Sequence, residues 1–542
     1  MNPTGLRPGP GDDPRAWTRA VFAAADYAGV AMHGDPSTWQ FQAARALLLG
    51  DTASLRALAD CREPEARLHL AAARWIHGDE ARARRELAQI DLEHARRLLA
   101  LLDQPRIRVL AQLPWVDGAM TDLGGGLRHD PRFELRTLGH RTGDVRNPPY
   151  ADVRTALADG FTPDFYLAAM VEWQHLPPNL QLLRCPLFGN LADHDLHIQT
   201  IRPWLDLFDE LCVTDRTEWL DVQGLGRGTT TSFPKVFGLP ANLAPIPSGP
   251  RHLDFFVSGT MLDPYHPDKA RVLHELLGMP AIDLRVVRGF TGQMAFHALL
   301  AASKASFTFV RRPGAMPTRG LESVALGCAV AVQAESSLRL WLGHEHGVVP
   351  YGGERGELAA AVRTILDHHD HFGPAARRGA ERVRTEFAMP VVASQYFRFL
   401  AFRATAPRAA RTPVDTSTWT QKRLCVSRTW LPDDPTVRRR TMQANFRRLS
   451  ERFRLRPDAR TLVDMARELL CEYVHYERKK AVEANERALL ADAIGLLEKC
   501  VQKWPDHLAA RFLLVRTRWH HGDARQRLQA LQLAFDTVDA EP

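Results

Sequence analysis

Along residues 14 to about 103, apolar and alanine positions return at steps of three and four, as in WQFQAARALLLGD and LHLAAARWIHGDEARARRELAQI. That spacing gathers them on one face of successive helices, and no strand signal interrupts them. Two of these helices should stop at Gly50-Asp51 and Gly78-Asp79. There glycine can take the left-handed conformation that ends one helix, and aspartate can cap the next. From about 105 to 403 the period changes. Short β-rich runs (RIRVLAQLPW, FELRTLG, DFYLAAM, CPLFGNL, LFDELCVTD, then DFFVSG, IDLRVVRG, ASFTFV, CAVAVQ, GVVPY) alternate with helical stretches. Apolar runs without strict alternation, separated by helices, predict parallel sheets covered on both faces. The passage 233–252, FPKVFGLPANLAPIPSGPRH, carries five prolines and reads as a linker between two such units.

The far end returns to helices. Arg74-Trp75-Ile76-His77-Gly78-Asp79 recurs as Arg518-Trp519-His520-His521-Gly522-Asp523, and AIGLLEKCVQKWPDHLAARFLL before it predicts a helix stopped at Trp504-Pro505 and restarted at Asp506. Helix, turn, helix, Gly-Asp, helix resembles tetratricopeptide repeats, with a spacing shorter than the usual period of about 34. Plain helical bundles packing on the middle zone are the alternative. The expected division is a helical region at 1–103, one doubly wound domain at 104–245, a second at 246–403, and a basic linker with further helices at 404–542.

Composition narrows the class. At roughly 100 to 200 residues per domain, 542 residues imply several cores, and 45% hydrophobic with 25% charged residues is the ordinary globular range. The seven cysteines are dispersed with no CxxC pair, which points away from a zinc site or a disulfide framework and toward a reducing compartment. No signal peptide is visible and no apolar run approaches 18 residues. A cytoplasmic protein is expected. The net charge is only +7, yet residues 404–460 hold fourteen Lys and Arg against five acids, so that one segment exceeds the whole-chain excess. Interleaved Trp419, Trp430, Phe446 and Phe453 make a nucleic-acid surface conceivable. The solvated face of one or two helices is the preferred reading, and no nucleic-acid partner is expected.

The informative chemistry lies in ASFTFVRRPGAMPTRGLESVALGCAVAVQ. A strand expected at 305–310 runs through a loop into a helix opening near Thr318, and a turn at Gly327 leads to the next strand. Thr318 is placed to cap that helix, whose free N–H groups would attract an anion. Glu322 stands one turn inside, where a carboxylate can accept two hydroxyl hydrogen bonds of a ribose diol. Arg319, Glu322 and Gly327 match the R-x-x-E-x-x-x-x-G pattern, and the segment resembles the C-terminal domain of GT-B glycosyltransferases, the family 1 and family 4 like group with the CgeB-like proteins. The resemblance covers about 255–403 well and the preceding domain in outline.

That resemblance implies a GT-B fold of two Rossmann-like domains. It also implies sugar transfer from a UDP-, GDP- or dTDP-linked donor, with no tightly bound cofactor and no metal. Glu322 would hold the ribose, Thr318 and Arg319 would lie at the donor, the Gly259-Thr260 loop would lie near the diphosphate, and Lys269 and Arg288 are candidate counter-ions for the leaving group. Many family 4 enzymes carry a second glutamate eight residues before the ribose-binding one; here that position is Gly314.

On the acceptor side the family pattern points to the first domain. Asp117 follows the first strand in PWVDGAMTDLGGG, whose Gly124, Gly125 and Gly126 would let a substrate approach the backbone. Asp193, His194 and Asp195 follow the fourth strand in GNLADHDLH, as candidate bases or as the cap of the next helix with His194 exposed. HEH at 344–346 and DHHDH at 367–371 read as solvated histidines near helix ends. The expected protein is a glycosyltransferase with flanking helices that dock a protein acceptor. The alternative is a non-catalytic scaffold with a degenerate GT-B core, supported by Gly314.

Overall fold

A computed structural model describes residues 7–9, 11–113, 121–139, 145–146, 153–173, 176–177, 179–194, 201, 204–240, 242–259, 269–279, 282–288, 292–309, 312–408, 420–424, 427–431, 435–455, 457–478 and 482–539. The chain divides into two compact units, one of residues 1–259 and 277–431, the other of residues 260–276 and 432–542.

The first unit begins with the expected helices: Pro14–Ala23, Tyr27–His33, Trp39–Leu49, Thr52–Ala59, Pro64–Ile76, Glu80–Leu87 and Glu93–Asp103. Their punctuation follows the sequence. Gly50 and Gly78 have φ of 64° and 100°, and the Asp51 and Asp79 side chains accept the N–H groups of Ser54 and Arg82 in the next helices.

Two sheets follow. Among the described residues the first has seven parallel strands: β1 (Ile107–Gln112), β2 (Phe133–Gly139), β3 (Val145–Arg146), β4 (Phe165–Ala168), β5 (Leu187–Asn190), β6 (Glu210–Val213) and β7 (Thr229–Ser232). They lie in the order β3-β2-β1-β4-β5-β6-β7. The second has five, β8 (Leu253–Gly259), β9 (Leu284–Arg288), β10 (Ser303–Phe307), β11 (Ala329–Gln333) and β12 (Val348–Tyr351), in the order β12-β11-β10-β8-β9. Both orders reverse once, between β1 and β4 and between β8 and β10. These are the switch points at which doubly wound sheets open a crevice beyond their carboxyl ends. The α/β class and the two parallel, Rossmann-like sheets expected from the sequence are therefore present.

Alternation explains the layers. Ile107, Val109 and Ala111 of β1 face a core shared with Leu47, Trp75 and Leu98 of the N-terminal helices and with Phe397 and Phe399 of the helix Met389–Ala404. Leu110 faces a second core with Tyr166, Trp204 and Leu211. Buried ion pairs fix the helices to the first sheet: Arg216 with Asp26, Arg398 with Asp130, and Arg403 and Arg408 with Glu210.

Two strands escape the hydrophobic pattern. Strand β3 is two residues long, and β7 is the polar run TTTS, whose Thr231 hydroxyl donates to Glu210 at 2.6 Å. Strand β10 starts at Ser303, earlier than the run of apolar residues suggests. Beyond the second sheet, Thr420–Leu424 and Ser427–Leu431 pair as an antiparallel hairpin inside the basic segment.

The second unit is helical over its described residues, with Pro435–Leu455, Ala459–Arg478, Ala484–Lys503, Leu508–His521 and Ala524–Asp539. Its core joins Leu462, Ala466, Leu469, Ile494, Leu497 and Leu514. The recurrence of the RW-x-HGD motif is only partly structural. Asp523 caps by accepting the Gln526 N–H, but Gly522 is extended at φ −80°, unlike Gly78. The cap of Leu508–His521 is His507 rather than Asp506, because the imidazole accepts the Ala510 N–H. Helices stand at both ends of the chain, but the two ends do not share one repeat geometry.

Candidate active site

The carboxyl edge of the second sheet brings together Arg319, Glu322 and His297. The helix Thr318–Ala325 follows β10, and the buried Glu322 accepts a hydrogen bond from Nε2 of His297, 3.2 Å away on the helix Gln293–Ala302. Burial pushes the Glu322 carboxyl above its ordinary range, partly offset by the imidazole. Arg319 donates to the Ser258 carbonyl at 3.0 Å, which ties the start of this helix to the end of β8 across the switch point. Thr308, just past β10, has a buried hydroxyl without a hydrogen-bond partner among the described residues.

Thr318 does not cap this helix. Pro317 occupies the cap position and Thr318 is the first helical residue, so the helix has no side-chain cap hydrogen bond. A proline cannot supply a side-chain acceptor to the leading N–H groups, the donors that attract an anion. Gly327 ends the helix with φ 76°, the conformation that turns the chain into β11. Gly259 closes β8, Arg288 closes β9 and Lys269 opens the helix Lys269–Leu277; the side chains of Lys269 and Arg288 lie outside the described residues, as does Thr260.

The carboxyl edge of the first sheet is more densely charged. His194 is 3% exposed, with Nδ1 2.9 Å from Glu218 Oε1 and Nε2 3.5 Å from Asp221 Oδ2. Burial alone would lower its pKa; hydrogen bonds to the two carboxylates outweigh it and hold the imidazolium up to about 10. The exposed histidine of the capping alternative is thus replaced by a buried ion pair. Asp193 follows β5, which is the fifth strand once β3 is counted, and its N–H donates to the Glu172 carboxylate. Asp117 and Asp195 lie outside the described residues. Gly124, Gly125 and Gly126 form a short helix, Leu123–Leu127. A Cβ on Gly126 would stand 2.7 Å from the Met389 carbonyl, so that glycine serves helix packing.

The two sheets meet at Arg312. This buried residue, on the loop after β10, donates to the Ala192 carbonyl beyond β5 and lies 3.9 Å from both Asp215 and Glu218. Gly314, two residues on, explains the missing second glutamate. A Cβ there would sit 3.1 Å from Asp215 Oδ1 and from Thr217 Oγ1, so a longer acidic side chain would collide with a carboxylate already in place.

Four groups that the sequence did not single out are therefore His297, Arg312, Glu218 and Glu172. Arg312 stands in the quoted segment 305–333 but outside its R-x-x-E pattern, and each of the four owes its place to strand order. Among the described residues no group of three or more His, Cys, Asp and Glu side chains is arranged to hold a metal ion, and no helix is long and apolar enough to cross a membrane.

No protein-family model matches this chain, and no curated protein does. Solved structures do. The structure is similar to sucrose-phosphate synthase from Thermosynechococcus elongatus at 12% identity and a TM-score of 0.39, over 54% of this chain and 98% of that one. It is similar to HepE of Anabaena, solved with UDP and glucose, at 13% identity and a TM-score of 0.36, over 55% of this chain and 100% of that one. The catalytic domain of starch synthase IV from Arabidopsis thaliana, bound to ADP and acarbose, matches at 9% identity and a TM-score of 0.38, over 56% and 100% of the two chains.

Proposed function

We propose that this protein is a glycosyltransferase that moves a sugar from a nucleoside-diphosphate donor to a hydroxyl acceptor. The observation that carries the reading is the buried Glu322–His297 pair beside an uncapped helix start at the switch point of the second sheet. A nucleotide has a vicinal diol and a diphosphate. Glu322 offers carboxylate oxygens to the diol, while the N–H groups of the Thr318 turn and the Arg319 guanidinium offer positive potential to the phosphates.

In this reading Arg319 fixes the helix start, and the ends of β8 and β9, at Gly259 and Arg288, lie on the diphosphate side. Asp193, after β5, lies on the acceptor side. His194 acts as a fixed cation that organises Glu218 and Asp221, since both of its ring nitrogens face carboxylates. Leaving-group charge is stabilised by preorganised donors rather than by new covalent chemistry. The acceptor is proposed to be a protein docked on the helical regions.

The test is a titration of UDP, GDP, dTDP and ADP by calorimetry, followed by nucleotide release from the matching glucose conjugates. Binding of one nucleotide, lost in Glu322→Ala, supports the reading. Binding of none would leave the scaffold alternative.

A further inference from the structure

The helix Ala524–Asp539 of the second unit is apolar on two opposite faces. Its inner face carries Ala530, fully buried, and Leu533, which packs on the core of Leu497 and Leu514. Its outer face carries a second apolar row. Ala524, Leu528, Leu531 and Phe535 recur at steps of four, three and four, which gathers them into one stripe on the side away from Ala530 and Leu533. Leu528 is 69% exposed, Leu531 42% and Phe535 63%. Among the described residues nine large apolar side chains stand exposed, and this helix of 16 residues holds three of them. Apolar residues scattered singly over a surface need no explanation, whereas a contiguous exposed row marks a contact surface.

The row also specifies what fits it. Steps of four and three are the seam of a helix pair, and this seam is complementary to itself when a second copy is laid against it antiparallel. The two-fold axis then passes between positions 529 and 530. Ala524 of one helix meets Phe535 of the other and Leu528 meets Leu531, and both contacts repeat in reverse order. A small side chain thus faces the aromatic ring at each end, with leucine against leucine in the middle.

The charges agree with that register. Arg525 and Asp536 are both exposed, and at eleven residues apart they lie within about 20° of each other around the helix, on one flank of the stripe. Gln532 donates to the Asp536 carboxylate at 2.8 Å and so holds it on that flank. In an antiparallel pair equivalent flanks face each other, which brings Arg525 of each copy beside Asp536 of the other. A parallel pair would set Phe535 level with Phe535 and gather the arginines at one end and the aspartates at the other.

We propose that the outer face of the helix Ala524–Asp539 joins two copies of this chain into a dimer by antiparallel pairing. This contact lies beyond the sugar-transfer reading, since no residue of the candidate active site takes part in it. One pair of short helices is small beside the roughly 1,600 Å² of a standard interface, so the association is a reversible one.

Sedimentation velocity on the full chain, at about 1 to 100 µM, should show a dimer that grows with concentration. Leu531→Glu should remain a monomer throughout, with the unfolding midpoint of the wild type, because the side chain faces solvent in the single chain. Arg525→Glu and Asp536→Arg should each weaken the dimer by about 10-fold or more, since each sets like charges together at both ends. An equimolar mixture of those two variants should recover the dimer, because both contacts then join opposite charges. A wild type that stays monomeric up to about 100 µM would overturn the inference, as would a dimer that survives Leu531→Glu. Charge variants that fail to pair with each other when mixed would overturn the antiparallel arrangement.

Discussion

His194 and Glu218 form a buried ion pair, Nδ1 to Oε1 2.9 Å, at the carboxyl edge of the first sheet. Glu218 is fully buried and also accepts the Thr214 N–H at 2.8 Å, while Asp221 faces the other ring nitrogen of His194. The imidazole therefore carries charge where its two carboxylates need it, and it anchors the segment that follows β5 to the helix Arg216–Val222.

This pair makes stability depend on pH. The folded-state pKa of about 10 lies above the unfolded value near 6.5, so the stabilisation is complete below about pH 6.5 and is lost as pH rises through about 10. The gap in thermal midpoint between the wild type and the less stable His194→Gln should narrow by several degrees between pH 7 and 10, since Lys235 titrates alike in both. Parallel slopes in the two proteins would refute the ion pair.

Arg312 is the cation between Asp215 and Glu218. Its removal takes the nearby cation from the buried Asp215 and the donor from the Ala192 carbonyl, while Glu218 keeps His194; breaking a buried pair typically costs about 3–5 kcal/mol. Urea unfolding of Arg312→Ala should show a loss of that order, and Arg312→Lys should recover only part of it because a point charge cannot reach both acids and the Ala192 carbonyl. A loss below about 0.5 kcal/mol would place this residue among ordinary surface charges.

Lys235 is 2% exposed and lies with its ammonium 4.9 Å from the Phe387 ring. Burial lowers its pKa to about 8, with Glu386 opposing the shift. The unfolded chain binds the proton more tightly, so stability should rise with pH from about 8 to about 10.5. Lys235→Met should raise the unfolding free energy at pH 7 by about 1–3 kcal/mol, a gain that shrinks as pH rises from about 8 to about 10.5. An unchanged or lower value would mean that the ammonium is better compensated than its surroundings indicate.

Glu322→Ala should weaken nucleotide binding about 10- to 100-fold, the worth of hydrogen bonds to a charged group. His297→Ala should give a smaller loss, since it frees the carboxylate to rotate without deleting it, and His297→Gln should restore part of the affinity. Calorimetry reads all three. Equal affinities in wild type and Glu322→Ala would remove Glu322 from the site.

Periodicity made the helices, most of the strands and their parallel pairing legible. Two of the departures are informative. Strand β7 is TTTS, polar by composition, and is a strand because it completes the edge beside β6 and hydrogen-bonds Glu210. The glycines at 124–126 invite a ligand on paper but instead let a short helix close on Met389. Of the site, Arg319, Glu322 and Gly327 were readable because they share one helix and its exit turn, where spacing is geometry.

Sequence by itself determined the local features: helix against strand, the glycine and aspartate punctuation at Gly50-Asp51 and Gly78-Asp79, the two sheet-forming zones and the helix that carries Glu322. Each depends on residues within a turn or two of one another. Tertiary structure alone decided what meets across the fold. Glu172 reaches Ala192 and Asp193, His194 reaches Glu218, Glu322 reaches His297, and Arg312 reaches Ala192 from 120 residues away. Those meetings are set by the order in which strands are laid into a sheet. A strand's hydrophobic pattern states that it is buried, but it does not name its neighbour.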